Sequence, residues 1–156
     1  MDKEIIRRIT TKDLSSIIKL EKKCFNKNTA YTPRQLEYLT TIANSNCLVK
    51  TINEIIQGFI IVLYCNGKNV AGIETLNVDP KFRGRGIGRK LINAAEEDMY
   101  SRFIKKIRLE VSVGNIPAIK LYEKLGFKKI ALFKNYYNYK QYRTYDAFRM
   151  VKELET

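Results

Sequence analysis

The chain has 156 residues, 45% of them hydrophobic, with 29 lysines and arginines against 16 acids, no histidine and a formal charge of +13. The missing imidazole excludes a Ser-His-Asp triad, a Cys-His pair and any metal site that needs histidine, so a general base must be a carboxylate, a tyrosine, a lysine or water. The length predicts one domain spanning 1–156 whose core needs neither disulfide nor metal.

EIIRRI (4–9) reads as a short strand. Residues 10–25 follow as an amphipathic helix, with Leu14, Ile17, Ile18, Leu20 and Cys24 as its apolar stripe and Thr11 as its N-cap. A second helix over 32–43 opens with Thr32 as cap and Pro33 in the first helical position. CLVKTI, IIQGFIIVLYC and VAGIETLNVDP are β-rich runs, and Asn66-Gly67 between the last two is a hairpin turn, so an antiparallel meander is expected. Beyond a glycine loop, Ile87, Leu91, Ala94, Ala95 and Met99 recur at helical spacing. IRLEVSV (107–113) is a strand, and 115–127 is a helix capped by Asn115, with Pro117 in its first turn and Gly126 at its end. Strands near 128–134 and 146–152 close the chain. This order predicts an α/β (α+β) fold on a mixed sheet, neither a Rossmann fold nor a barrel.

No apolar run approaches the ~18 residues of a membrane span, and MDKEIIRR lacks the apolar stretch of a signal peptide. A cytoplasmic protein without a membrane partner is expected. Cys24, Cys47 and Cys65 show no CxxC spacing and predict reduced thiols, Cys65 being an ordinary strand or core residue. The positive balance favours anionic partners such as nucleic acid, the ribosome or a phosphorylated cofactor. The lysines are scattered, so a merely solvated surface is an equal reading.

Between the third run of the meander and the next helix stands RGRGIG. Gly84, Gly86 and Gly88 let the backbone approach a ligand, the amides of a helix N-terminus bind phosphate oxygens, and Arg83 and Arg85 add charge. The loop is neither a Walker loop nor GxGxxG. It predicts a phosphate or pyrophosphate site, against the plainer reading of a glycine turn with surface arginines.

LNVDPKFRGRGIGRKLI together with IRLEVSVGNIPAIKLYEKLGFKK resembles the GNAT superfamily of acyl-CoA N-acyltransferases. The first stretch looks like its R/Q-x-x-G-x-G/A pyrophosphate loop, and the second like its N-x-x-A-x-x-x-Y segment. LEV before that segment, then KNYYNY and YDAFRM, is most similar to the RimI-type protein N-terminal (alanine) acetyltransferases, although Tyr31 stands where that group usually carries tryptophan. The resemblance implies a GNAT fold: a mixed sheet of about seven strands flanked by about four helices, splayed between the fourth and fifth strands. It implies acetyl-CoA as cofactor, held by Val78, Arg83, Gly84, Arg85, Gly86, Ile87, Gly88, Asn115 and Tyr122. The backbone amide at or near Val78 would stabilise the oxyanion. Protein N-termini or peptides would be the acceptors, with the ribosome as a further candidate partner.

Amine acetylation needs a neutral amine and a proton for the leaving thiolate. Glu110 is the candidate base: apolar Leu109 and Val111 beside it predict partial desolvation, and the RimI-type pattern places a proposed base there. The alternatives are a solvent-facing carboxylate or one paired with Arg108. Glu74 is the rival, with a solvent-facing side chain as its plainer reading. Tyr122, sharing a helix face with Ile119 and Leu125, is the candidate acid, or a packed core ring. Tyr136 and Tyr137 are expected to wall the acceptor groove opposite Tyr31, with Glu74 also on the acceptor side, while the remaining tyrosines of YYNYKQYRTY read as a β-hairpin or as base-stacking residues. Other acceptors stay open: lysine side chains, polyamines or small amines, a basic enzyme being a poor host for a polycation unless its groove is acidic. A non-catalytic CoA-binding module on ribosome or RNA is the alternative of a different class.

Overall fold

A computed structural model describes residues 1–155. The strands are β1 (Glu4–Arg8), β2 (Ser45–Ile52), β3 (Ile55–Tyr64), β4 (Val70–Val78), β5 (Lys106–Ser112), β6 (Lys128–Phe133) and β7 (Ala147–Glu153). The helices are α1 (Leu14–Cys24), α2 (Pro33–Thr41), α3 (Ile87–Ser101) and α4 (Ile116–Lys124). The strands form one sheet in the order β1-β2-β3-β4-β5-β7-β6. The pair β4–β5 runs parallel and every other neighbouring pair antiparallel. The expected meander is β2–β3–β4, and its last turn carries Gly67 at φ +72°, a conformation natural to glycine.

From Phe59 to Leu63 β3 is apolar without interruption because both its faces are covered there. Ile60 and Val62 join Leu91, Ile92, Ala95 and Met99 of α3 in one core, and Phe59 and Ile61 join Ile17 and Leu36 of α1 and α2 in a second. Gly58 admits α3 at this point: a Cβ there would lie 2.5 Å from the Asn77 carbonyl oxygen and 3.3 Å from Ile87.

The sheet opens between β4 and β5. Their pairing covers Val70, Ala71 and Gly72 against Lys106, Ile107 and Arg108. Two local features mark the point where the strands part. On the β3 side, Val62 faces Ile73 and Ile61 faces Thr75, so Glu74 is the extra residue of a bulge that bends β4. On the β5 side the Arg108 guanidinium lies over Gly72, 3.3 Å from where a Cβ would sit.

Three expectations are corrected. The chain enters α1 through a 3-10 turn (Thr11–Asp13) capped by Thr10 rather than Thr11, because the Asp13 carboxylate turns back to accept from the Thr10 amide at 2.8 Å. Cys65 is exposed in the turn after β3 instead of lying in a strand or the core. The tyrosine-rich stretch between β6 and β7 is a looped excursion with an isolated Gln141–Thr144 bridge, not a hairpin of regular strands. Tyr142 and Arg143 take positive φ as the two central residues of a tight turn that the Gln141–Thr144 bridge closes, and the pairing goes no further than that bridge.

Candidate active site

A cavity of about 720 Å³ occupies the opening between β4 and β5. One end is the glycine loop. Gly84 and Gly86 sit at φ +79° and +78°, and a Cβ on either would meet nothing within 4 Å, so the loop faces open space. Gly86 is the N-cap of α3 and offers no side chain to the first-turn amides. Gly88 serves packing as well: a Cβ there would come within 3.2 Å of Leu121 on α4. Ile87 and Asn115 also line the cavity, and the Asn115 side chain caps α4 by accepting from the Ala118 amide at 3.3 Å.

At the end of β4 the Asp79 amide donates to the Gln57 carbonyl at 2.8 Å. In an antiparallel ladder the preceding residue then points its own amide and carbonyl the other way, into the opening. The Val78 carbonyl confirms this direction, accepting from Arg83 Nε at 3.0 Å and from the Cys24 thiol at 3.5 Å. Arg83 is therefore folded back along β4, and Arg85 lies 5.5 Å from the centre of the Phe82 ring.

Tyr122 is buried on α4, its ring tilted against Phe127 at 5.7 Å, and borders the cavity. Burial pushes its phenol above the usual tyrosine range.

Glu110 borders the cavity, but its surroundings are ionic where apolar ones were expected. Arg108 donates to Oε1 at 3.2 Å and Arg149 to Oε2 at 2.9 Å. The neighbours Leu109 and Val111 point to the opposite face of the sheet, into the α3 core, as strand alternation requires. Tyr136 OH donates to the same Glu110 Oε1 at 3.4 Å, and Tyr137 packs edge-on to Tyr136 at 5.0 Å. Glu74 does not face solvent: it lines the cavity at the bulge and accepts from Tyr31 OH at 2.8 Å. Burial, then the adjacent Glu74, push the Tyr31 phenol up. Two tyrosine–carboxylate pairs thus line the cavity, one on β4 and the α1–α2 loop, the other on β5 and the β6–β7 loop.

Sequence reasoning missed Glu21, Gln141 and Tyr142, all lining the same space. Glu21 carried a signal: it stands one turn after Ile17, on the buried side of α1. Tyr142 carried none, since its place depends on the loop's positive φ values and on Gly114, where a Cβ would overlap the Tyr142 carbonyl.

Residues 14–127 match the acetyltransferase (GNAT) family. The chain belongs to that family. Over 67 residues it is 39% identical to the [ribosomal protein bS18]-alanine N-acetyltransferase of Salmonella typhimurium, an alignment covering 43% of this chain and 45% of that protein. The aligned part therefore spans less than half of that relative. The crystal structure of Ard1 from Thermoplasma volcanium superposes with a TM-score of 0.86 at 26% identity, covering 98% of this chain and 99% of the other. That of the Escherichia coli ribosomal-protein-S18-alanine N-acetyltransferase superposes with a TM-score of 0.87 at 24% identity, covering 99% and 96%. The second likeness speaks to the fold. The GNAT architecture, with its mixed seven-stranded sheet, four helices and parallel β4–β5 pair, is the one expected from the two motifs. Among the described residues no helix is long and apolar enough to cross a membrane.

Proposed function

We propose that this single-domain chain transfers an acetyl group from acetyl-CoA to the N-terminal α-amine of proteins, ribosomal proteins among the candidates. The observation that carries the reading is one cavity with two chemically distinct ends. Of its lining residues, the cations Arg83 and Arg89 belong to the glycine loop and the first turn of α3, while the carboxylates Glu74 and Glu110 sit beside tyrosines at the other end.

The residues present fit acetyl-CoA. Gly84 and Gly86 keep the space over the loop open at positive φ, the free amides of α3 offer donors to a pyrophosphate, and Val78 presents its amide and carbonyl to the opening. When bound, the cofactor supplies an activated thioester. Arg83 and Arg85 contribute charge to the phosphates, which requires Arg83 to leave the Val78 carbonyl. The double change Arg83→Ala with Arg85→Ala is expected to raise the KM for acetyl-CoA by about 10- to 100-fold, charge-assisted bonds to phosphate being strong. Steady-state kinetics at saturating acceptor measure this, and an unchanged KM removes the loop from cofactor binding.

On the acceptor side Glu74 holds the ammonium and Glu110 takes its proton. An α-amine has a pKa near ~8, so at neutral pH most acceptor amines still carry the proton that a positioned carboxylate must take, and removing it costs only about one pKa unit. Arg108 and Arg149 orient the Glu110 carboxylate, and Tyr136 reaches its Oε1. Glu110→Gln is expected to lower kcat by about 10- to 100-fold near pH 7. The deficit should shrink toward pH 9, where solvent already leaves the amine neutral. A flat pH–rate ratio would transfer the base role to Glu74 or water.

A second reading, acetylation of lysine side chains, polyamines or small amines, gains support from the carboxylates at the acceptor end, because they suit any cationic acceptor. Acetyl transfer to peptides with free or blocked N-termini, with and without lysine, and to small amines separates the two by product mass. Modification confined to free N-termini supports the α-amine reading. Modification of blocked lysine peptides or small amines replaces it.

A further inference from the structure

Glu21 has no part in the chemistry described so far, yet it lines the cavity and is 1% exposed. Its three partners are neutral donors: the Tyr31 amide to Oε2 at 2.9 Å, and Asn77 Nδ2 at 3.1 Å and Thr75 Oγ1 at 3.4 Å to Oε1. No lysine or arginine pairs with it among the described residues. Burying a carboxylate without a cation is costly. Burial accordingly raises its proton affinity, the three donors only partly opposing this.

The connections define what Glu21 does. It stands in the last turns of α1, from which the α1–α2 loop departs. One oxygen reaches forward to the far end of that loop, at Tyr31. The other reaches across to β4, just beyond the bulge at Glu74. Tyr31 in turn donates to Glu74. The neighbouring residues tie the same turns of α1 to the end of β4: Lys23 to Asp79 at 3.3 Å, and Cys24 to the Val78 carbonyl.

We propose that Glu21 is a positioning residue of the acceptor site: it fixes the Tyr31 end of the α1–α2 loop against β4 and so places the Tyr31–Glu74 pair where the acceptor amine docks. It rests on the acetyl-transfer reading for its kinetic consequence, and on geometry alone for its structural one. A glutamine at this position preserves the tie. Its carbonyl can accept from the Tyr31 amide, and its amide can donate to the Asn77 Oδ1, which is buried without a partner and needs only a side-chain flip to face it.

The test is a comparison of Glu21→Ala with Glu21→Gln. Glu21→Ala is expected to raise the acceptor KM by about tenfold or more and to leave the acetyl-CoA KM within about twofold, while Glu21→Gln stays within about threefold on both. An unchanged acceptor KM in Glu21→Ala, a parallel rise in both KM values, or a glutamine variant as impaired as alanine overturns the proposal. A readout free of turnover accompanies it. The chain has no tryptophan, so Tyr31→Trp supplies the sole indole as a reporter of the loop. Acrylamide should quench that indole more strongly when Glu21→Ala is added and no more strongly when Glu21→Gln is added; equal quenching in both also overturns the proposal. If the parent enzyme acetylates none of the amines, the functional reading fails while the quenching result still decides the role of Glu21. Should Glu21→Ala not fold, Glu21→Asp takes its place, one methylene too short to bridge Tyr31 and Asn77, with the same expectations and the same refuting results.

Discussion

Replacing Tyr122 by phenylalanine is expected to lower kcat by about 100-fold and to leave both KM values within about twofold. The ring stays where it is, held against Phe127 and in the α3–α4 core, so only the hydroxyl is lost. In the proposed reaction that hydroxyl gives its proton to the departing thiolate, and burial keeps it in its protonated form until then. No alkaline fall in rate below pH ~10 is therefore expected from this group. The same shift bears on stability. A phenol whose folded pKa lies above the ordinary ~10 contributes stability that is fully present below pH ~10 and is lost as pH rises beyond it, since the unfolded chain releases the proton first. Burial moves Tyr31, Tyr64 and Tyr137 the same way, so thermal stability should hold to about pH 10 and then fall, less steeply in Tyr122→Phe. Full turnover in Tyr122→Phe would assign thiolate protonation to solvent.

The second large effect is at the glycine loop. Gly86→Val is expected to raise the KM for acetyl-CoA by about 30-fold or more and to leave the acceptor KM unchanged. A β-branched residue at φ +78° is strained by about 1–2 kcal/mol, and its side chain would stand in the open space over the loop where phosphates are to bind. Gly67→Val is the matched control. Gly67 has φ +72° and equally open surroundings, but it lies in the β3–β4 turn, away from the cavity. Both variants should lose a similar few degrees of Tm, about 2–8 °C for a chain of this size, whereas only Gly86→Val should affect acetyl-CoA. Equal KM values in the two variants would mean that the loop does not hold the cofactor.

The parts of the molecule legible in the sequence share one property: each is specified over a few residues. The β2–β3–β4 meander follows from continuous apolar runs and the Asn66-Gly67 turn. Helix α2 follows from Thr32 and Pro33, and Gln35 completes the cap by accepting from the Thr32 amide at 2.8 Å. The loop that opens α3 follows from glycines whose positive φ no other residue tolerates as readily. The helical entry is capped one residue earlier than expected for an equally local reason, the Asp13 carboxylate folding back on Thr10.

Of the partners of the cavity carboxylates, the sequence offered only the local one, Arg108 beside Glu110, because the other contacts join residues farther apart in the chain. Glu110 meets Arg149 across 39 positions, Tyr31 meets Glu74 across 43, and Glu21 meets Asn77 across 56. Apolar neighbours in sequence say little about the environment of a strand residue, since they point to the other face of the sheet. By itself the sequence determined most of the elements, the glycine loop that opens α3 and the types of groups able to move a proton. The tertiary structure alone decided which carboxylate is ion-paired, which is held by a tyrosine and which is buried without a cation, because strand order and the β4 bulge choose the partners that each side chain meets.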